Sequence, residues 1–384
     1  MKVALVIEWI DPWRGGAETS TSQFVRHLLD RGVELTIVTR SRLSPAPGMA
    51  VHTVAVKSPF RSHQAAIFSR RATEYLRRGC FDVVHAISPC AGATIYEPRG
   101  GTIAETIQRN LAIRPMGLAR RLKGAANRFN LKQQRMLRFE RRWLGGRHRP
   151  HVIAISDYVT RQLRGHYDYP PALIHKVFNG VDPDLADART RASHRQEIRR
   201  LYHIREEDLL AIMVAHNFRL KGLGRWIDAL RQLSEAGRLP IRSLVIGKDN
   251  SVRWERRVLR EGLGDRLQFT GPTRRVASFF HAADVLVHPT FYDPCSRVVL
   301  EALASGIPAV TTRYDGAAEV IQHRVNGWVL EDADCVSRLV ESVTELADPA
   351  VRAHFCAAAR ASSQGLSMRQ HAEGVYQIYQ ALKR

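Results

Sequence analysis

Short apolar runs rich in β-branched residues alternate along this chain with longer stretches whose apolar positions recur every three or four residues. In the first half, Val3 to Trp9, Val33 to Thr39, Val51 to Val56, Phe81 to Ala86, His151 to Ser156 and Leu173 to Phe178 read as strands. In the second half, Leu209 to Ala215, Ser243 to Lys248, Leu267 to Gly271, Asp284 to His288 and Ala309 to Thr311 do. Helical spacing falls between them: a helix after Glu18 with Val25, Leu28 and Leu29 on one face, then Gln64 to Arg78, Leu223 to Ala236, Arg253 to Glu261 and Val276 to Ala282. A further helix starts at Ser296 or Arg297 and stops at Gly306, with Pro308 beyond it. The tail, Val336 to Leu346, Val351 to Ala361 and Met368 to Leu382, is helical. Strand–helix–strand alternation of this kind predicts βαβ crossovers, parallel sheets and an α/β fold.

At 384 residues the chain is long enough for two domains with separate cores. A hydrophobic content of 45% and a charged content of 25% are ordinary for a globular protein, and no apolar run approaches the length of a spanning helix. The opening residues read as a first strand rather than a leader, because Glu8 and Asp11 interrupt them and no small-residue cleavage site follows. Cys80, Cys90, Cys295, Cys335 and Cys356 form no CxxC pair and suit free thiols in a reducing cytoplasm. The net charge of +21 departs from the ordinary and calls for an anionic partner: nucleic acid, an acidic membrane or a phosphorylated acceptor.

Candidate chemistry concentrates in ADVLVHPTFYDPCSRVVLEALASGIPAVTT, residues 283–312. Asp293 lies in the loop after one strand and Glu301 in the apolar helix that follows, near the carboxyl end of a parallel strand, where open α/β sheets bind ligands. The helix start offers N–H groups to an anion, and acids beside it can accept hydrogen bonds from sugar hydroxyls. The plainer alternative is that Glu301 surfaces on the helix and Asp293 caps it. Gly15 and Gly16 sit at the turn after the first strand, where a backbone can approach a ligand closely or simply turn. The loop is not GxGxxG, so a dinucleotide fingerprint is absent. His216 to Gly222 follows the strand that opens the second half and carries Arg219 and Lys221. Arg99 precedes Gly100-Gly101 and is a permanent cation, whereas His85 at a strand end reads as structural.

Residues 109–149 are dense in arginine and lysine interleaved with apolar residues, among them Arg120, Lys123, Arg128, Lys132, Arg135, Arg138, Arg141 and Arg142. This reads as one or two basic amphipathic helices suited to an anionic membrane interface, or as a solvated face around core contacts. Nucleic acid is a third partner, but no zinc, RRM-like or KH-like pattern accompanies it. Asp182-Pro183-Asp184 spells DxD but falls in a turn after Asn179-Gly180, and Asp332-Ala333-Asp334 reads as a helix cap.

Taken together, Lys221-Gly222 and Asp293-x7-Glu301 resemble the signature of the family 4 retaining glycosyltransferases. Their usual motif is Glu-x7-Glu, and Asp293 is one methylene shorter. Gly15-Gly16-Ala17-Glu18 and Asn179-Gly180-Val181-Asp182 also resemble motifs of that family, so the resemblance covers nearly the whole chain. It implies the GT-B fold: two Rossmann-like domains facing across a cleft, with the last helix packing back on the first. The domains would be residues 1–178 with 366–384 on the acceptor side, and 179–365 binding the donor. By resemblance Glu301 holds the nucleotide ribose, Asp293 a donor-sugar hydroxyl, and Lys221 with Arg219 the diphosphate. The N–H groups of Ser296, Arg297 and Val298, with Gly15 and Gly16, meet sugar and phosphates. Related chains commonly carry histidine where this one has Arg99, which would then face the diphosphate or an anionic acceptor. The implied activity is metal-independent, retaining transfer of a hexose, by expectation glucose from UDP-glucose, to a lipopolysaccharide-core-like or other glycolipid or glycan. The enzyme would be cytoplasmic, peripheral on the inner membrane face through 109–149, with no bound cofactor and no nucleic-acid partner. A basic nucleic-acid-binding protein on an α/β scaffold and a GT-B epimerase or phosphorylase are the alternatives.

Overall fold

β1 (Lys2–Val6) is the seed of the first sheet: its fully buried Val3, Ala4, Leu5 and Val6 pair in parallel with β2 (Glu34–Thr39) on one side and β4 (Val83–Ala86) on the other. In the computed structural model, the described residues are all of 1–384 except 11–15, 60, 115, 116, 118–120, 122, 123, 126, 128, 129, 183, 185, 238 and 384, with the side chains of 16–19, 61, 62 and 132 also left aside. These residues form two units, Met1–Gly180 with Leu366–Arg384, and Val181–Gly365.

In the first unit, β3 (Met49–Thr53), β5 (Ile95–Tyr96), β6 (His151–Ala154) and β7 (Ile174–Lys176) complete a parallel sheet of order β3-β2-β1-β4-β5-β6-β7. Its helices are α1 (Gly16–Leu29), α2 (Arg61–Arg78), α3 (Ile103–Ala112), α4 (Leu131–Leu144) and α5 (Asp157–Tyr167). One core joins Leu5, Phe24, Leu28, Ile37, Ile95 and Ile153. The chain returns to this core through its last helix, Met368–Leu382, which a Ser367–Gln370 capping box starts and whose Ala372, Val375 and Tyr379 are fully buried. Gly180 is obligatory at the exit of the unit, because a Cβ there would meet the Ser367 carbonyl.

The second unit repeats the plan. β8 (Leu209–Val214), β9 (Ile241–Ile246), β10 (Leu267–Gly271), β11 (Val285–Val287), β12 (Ala309–Thr312) and β13 (Gly327–Leu330) form a parallel sheet of order β10-β9-β8-β11-β12-β13. Its helices are α6 (Ala188–Leu201), α7 (Leu223–Glu235), α8 (Val252–Arg260), α9 (Val276–Ala282), α10 (Arg297–Ala304), α11 (Val336–Ala347) and α12 (Pro349–Ser362). The final helix of the chain is α13 (Met368–Leu382), in the first unit. Trp226, Ile227, Leu230, Val245, Val285, Val287, Trp328 and Leu339 fill the second core. In both sheets the strand order reverses at the first strand of the unit, between β1 and β4 and between β8 and β11, which makes each a doubly wound Rossmann-like sheet.

Among the elements not anticipated from the pattern are β5, in a stretch read as a loop, α3, β13 and α6. β13 is short, and α6 is almost wholly polar, with Ile198 its one buried apolar residue. α6 docks through charge instead: Arg199, 2% exposed, donates to Asp284 at 2.6 Å, and Arg195 reaches the same carboxylate at 3.3 Å. A buried Arg–Asp pair of this kind leaves no trace in hydrophobic periodicity.

Candidate functional site

Doubly wound sheets bind ligands beyond the carboxyl ends of the two strands at the switch point. In the second unit these are β8, which runs into the loop carrying Arg219 and Lys221, and β11, which runs into the loop carrying Asp293. The two loops are stitched together. Phe291 N–H donates to the Leu220 carbonyl at 2.9 Å, and the Thr290 hydroxyl bridges the Leu220 and Tyr292 carbonyls. Gly222, at φ 81°, lies so close to the Pro289 carbonyl that a Cβ would collide with it, so glycine is required both by conformation and by space.

This stitching delivers the Lys221 ammonium onto the Asp293 carboxylate. The ammonium also donates to the Tyr292 carbonyl at 3.3 Å. Among the described residues these contacts direct two of the three ammonium protons. Burial by itself would raise the Asp293 carboxyl, but the Lys221 charge and the neighbouring His288 reverse this and hold it well below the usual carboxylate range. His288 closes β11; it is 1% exposed, with Nε2 3.3 Å from Ser296 Oγ and 3.8 Å from Asp293 Oδ2. Burial lowers its pKa, and its buried Nδ1 has no hydrogen-bond partner among the described residues.

Behind Asp293 stands Asp315, 2% exposed, on the loop after β12. Its Oδ1 accepts the N–H groups of Ser296 and Ala317, both at 2.9 Å, and Oδ2 accepts the Thr311 hydroxyl at 2.9 Å. Burial first, and the Asp293 charge second, push the Asp315 carboxyl up to about 7. Of the two, Asp293 therefore ionises first, and Asp315 keeps its proton to higher pH.

α10 then presents Arg297, Val298 and Glu301 on its partly exposed stripe, while Val299, Leu300, Ala302 and Leu303 are buried. Arg297 donates to Glu301 at 3.3 Å. Burial raises the Glu301 carboxyl, with Arg297 opposing. Ser296 caps the helix start, and its N–H is already given to Asp315. Arg219 is half-buried in the Lys221 loop.

The remaining expected residues lie in the first unit. Gly15 is outside the described residues, and Gly16 begins α1. Arg99 is 8% exposed and its guanidinium is spent on Glu97, at 2.7 and 3.1 Å, and on Thr21 of α1 at 2.8 Å. His85 is fully buried against Tyr379 at 2.5 Å, a structural histidine. Asp184 of the DxD triplet is paired with His281 and Arg191, and Pro183 lies outside the described residues. The five cysteines are free, with Cys295 buried in the Asp293 loop.

Comparison with known proteins decides what this site belongs to. The family model Glycosyl transferases group 1 matches residues 194–361, and Glycosyltransferase Family 4 matches residues 14–185. The chain belongs to the group 1 glycosyltransferases. It is similar to the lipopolysaccharide glucosyltransferase WaaG of Escherichia coli K12, 23% identical over 83% of this chain and 82% of that protein. It is likewise similar to a D-inositol 3-phosphate glycosyltransferase of Xylanimonas cellulosilytica, 27% identical over 96% and 93%. The crystal structure of WaaG superposes with a TM-score of 0.83 at 22% identity, covering 98% of this chain and 99% of that one, and fixes the fold as GT-B. HepE of Anabaena, crystallised with UDP-glucose, gives 0.72 at 16% identity over 99% and 100%.

In this glycosyltransferase, reading the sequence missed His288 and Asp315. A histidine closing an apolar strand directly before Pro289 was a usable signal; nothing local marked Asp315, whose role depends on β12 lying beside β11. Asp315 gives a pH prediction. Its native pKa lies above the usual carboxylate value, so the folded state keeps its proton longer than the unfolded chain. Stability from this group is therefore present below about pH 4, falls as pH rises towards about 7, and is level above. Asp315→Asn removes that slope: denaturant midpoints of the parent fall more between pH 5 and 8 than those of the variant. Parallel slopes would show that Asp315 is ionised throughout.

The basic segment is described in part, since residues 120, 123 and 128 lie outside the described set. α4 turns Glu140, Trp143 and Leu144 inward and leaves Arg135, Arg138, Arg141 and Arg142 exposed. Glu140 anchors it, accepting the Ile103 N–H at the start of α3 and the Tyr167 hydroxyl.

Proposed function

We propose that this enzyme is a retaining hexosyltransferase that takes its sugar, glucose as first candidate, from a UDP-hexose and passes it, without bound metal, to an anionic glycolipid or glycan such as a lipopolysaccharide core. The observation that carries the reading is the Lys221 ammonium, fixed by Asp293 and the Tyr292 carbonyl. Glu301, on the outer stripe of α10, is suited to the ribose hydroxyls, and Asp293 to a sugar hydroxyl. Arg219 is a second cation for the diphosphate, and the N–H groups of Arg297 and Val298 at the start of α10 suit its oxygens.

On this reading the acceptor hydroxyl attacks the anomeric carbon from the face the diphosphate leaves. The bond between the anomeric carbon and the diphosphate oxygen breaks, the nucleoside diphosphate departs with the bonding pair, its growing charge is met by Lys221, and the acceptor proton passes to the departing phosphate oxygen. No enzyme nucleophile is needed. UDP-glucose is supported by HepE, which was crystallised with it, and a lipopolysaccharide-like acceptor by the likeness to WaaG.

Calorimetric titration with UDP, GDP, ADP and UDP-glucose in chelator tests the reading. UDP and UDP-glucose are expected to bind with Kd on the order of micromolar, and Glu301→Ala to weaken both about tenfold or more. Tighter binding of GDP or ADP would replace the donor; loss of binding in chelator would overturn metal independence. A product analysis showing an altered sugar nucleotide instead of a transferred sugar would point to an epimerase.

The exposed arginines of α4 further support a peripheral membrane habit, each basic residue near an anionic surface contributing about 1 kcal/mol. Co-sedimentation with phosphatidylglycerol vesicles is expected and should fall sharply at high salt and in the Arg135→Glu/Arg138→Glu/Arg142→Glu variant. Equal sedimentation of that variant would remove α4 from the membrane contact.

A further inference from the structure

The first unit has a cavity at the end of its sheet opposite the carboxyl ends of the strands. A cavity of about 910 Å³ opens among the segments that lead into β4, β5, β6 and β7, with the end of α2 and Leu382 of α13 completing it. Phe81 and Asp82 enter β4, Thr94 precedes β5, Pro150 precedes β6 and Leu173 precedes β7. All of these lie at amino ends of strands, whereas Gly16 and Arg99 follow the carboxyl ends of β1 and β5. The cavity is therefore separate from any ligand bound at the switch point of this sheet, and its volume is that of a small-molecule site.

Its lining has a marked sign. Arg77, Arg147, Arg149 and His148 contribute cationic or potentially cationic groups, and Asp82 is the one carboxylate. Asp82 already accepts the Lys2 N–H at 2.7 Å. Arg149 is a rigid cation: Nε donates to the Gly146 carbonyl at 3.3 Å, Nη1 to the Asp168 carbonyl at 3.1 Å, and the group stands 5.5 Å from the Tyr169 ring. These acceptors are neutral, so they fix the guanidinium without cancelling its charge. Arg77 and Arg147 are exposed and make no ion pair or hydrogen bond with the described residues, nor does His148. Three arginines around one cavity repel one another, and an anion with several oxygens relieves this while matching guanidinium geometry. Leu76, Phe81, Leu173 and Leu382 give the same cavity apolar walls.

We infer that this cavity binds a phosphate ester whose phosphate sits among Arg77, Arg147 and Arg149 and whose body lies on the apolar walls. The phosphate belongs either to a small metabolite or to a lipid headgroup, and the apolar walls make the two distinguishable. The inference is independent of the donor-site reading.

The full chain carrying Lys221→Ala/Arg219→Ala/Glu301→Ala, which together weaken the expected diphosphate site, is titrated by calorimetry with inorganic pyrophosphate and with dihexanoyl phosphatidate at low salt. Both are expected to bind with one-site stoichiometry. Arg77→Glu/Arg147→Glu in the same background should weaken both at least tenfold. The two positions are exposed, so the variant is expected to melt at the parent temperature, which a thermal scan checks. Phosphatidate at least tenfold tighter than pyrophosphate supports the site and assigns a lipid headgroup; equal affinities support it and assign a small phosphate metabolite. Binding unchanged by the double charge reversal, or absent for both probes, overturns the inference. Mapping the bound state by amide exchange, protection should fall on 79–82, 147–151 and 170–173; protection confined to 216–222 and 289–298 would equally overturn it.

Discussion

Lys221→Ala is expected to lower kcat of hexosyl transfer by about 10²–10³, with a smaller change in donor affinity. The leaving diphosphate gains charge as its bond to the sugar breaks, so a fixed cation acts more strongly on the transition state than on the bound donor. The structure adds a second consequence. Lys221 is the main charge that holds Asp293 ionised near Asp315; without it, the repulsion between the two carboxyl groups is opposed only by His288 and by the N–H groups of Cys295, Ser296 and Ala317. The Asp293 pKa should then rise and the activity that remains should acquire a pH dependence absent from the parent. Lys221→Arg restores the charge but not the compact three-donor geometry, so partial recovery of kcat is expected. The decisive measurement is the pH profile of kcat for the three proteins with a donor confirmed by binding. A Lys221→Ala enzyme with unchanged kcat would remove the diphosphate role; unchanged pH behaviour with a lowered kcat would keep that role and break the coupling to Asp293.

Arg99→Met is expected to cost about 3–5 kcal/mol of stability in the first unit, the usual penalty for orphaning a buried charge. Glu97 is fully buried, and burial by itself would push its carboxyl up; Arg99, His371 and His85 reverse this and hold it well below its ordinary range. Glu97 receives Arg99 in two hydrogen bonds, with His85 Nε2 at 3.1 Å and His371 Nε2 at 3.4 Å. His371 and Tyr379 stand on α13, so this carboxylate gathers β4, β5 and the returning helix around one point. Glu97→Gln/Arg99→Met should lose less than Arg99→Met, because no charge is left behind. Denaturant unfolding of the parent, both single variants and the double gives the coupling energy. A loss below about 1 kcal/mol for Arg99→Met, or additive single effects, would show that the pair is not interdependent.

The pattern of the sequence alone determined the α/β class and most strands and helices, because buried parallel strands must be continuous apolar runs and amphipathic helices must repeat at their own period. It also marked Asp293 and Glu301, which fall where a strand ends and a helix starts, while Lys221-Gly222 and the reading of the two acids as a motif came from the resemblance to the family 4 glycosyltransferases. Tertiary structure alone decided what those side chains meet. Asp315 is 22 residues from Asp293 in the chain, and only the pairing of β11 with β12 brings it close enough for the Asp293 charge to add to burial in raising its carboxyl. Arg99 looked from the sequence like a cation for a ligand; the fold supplies Glu97 two residues away and turns it inward. α6 escaped notice because its docking is an arginine buried on Asp284, 85 residues further along. Periodicity records which faces are apolar, and it is silent on buried charges, whose cost is met by partners that only the folded chain brings within reach.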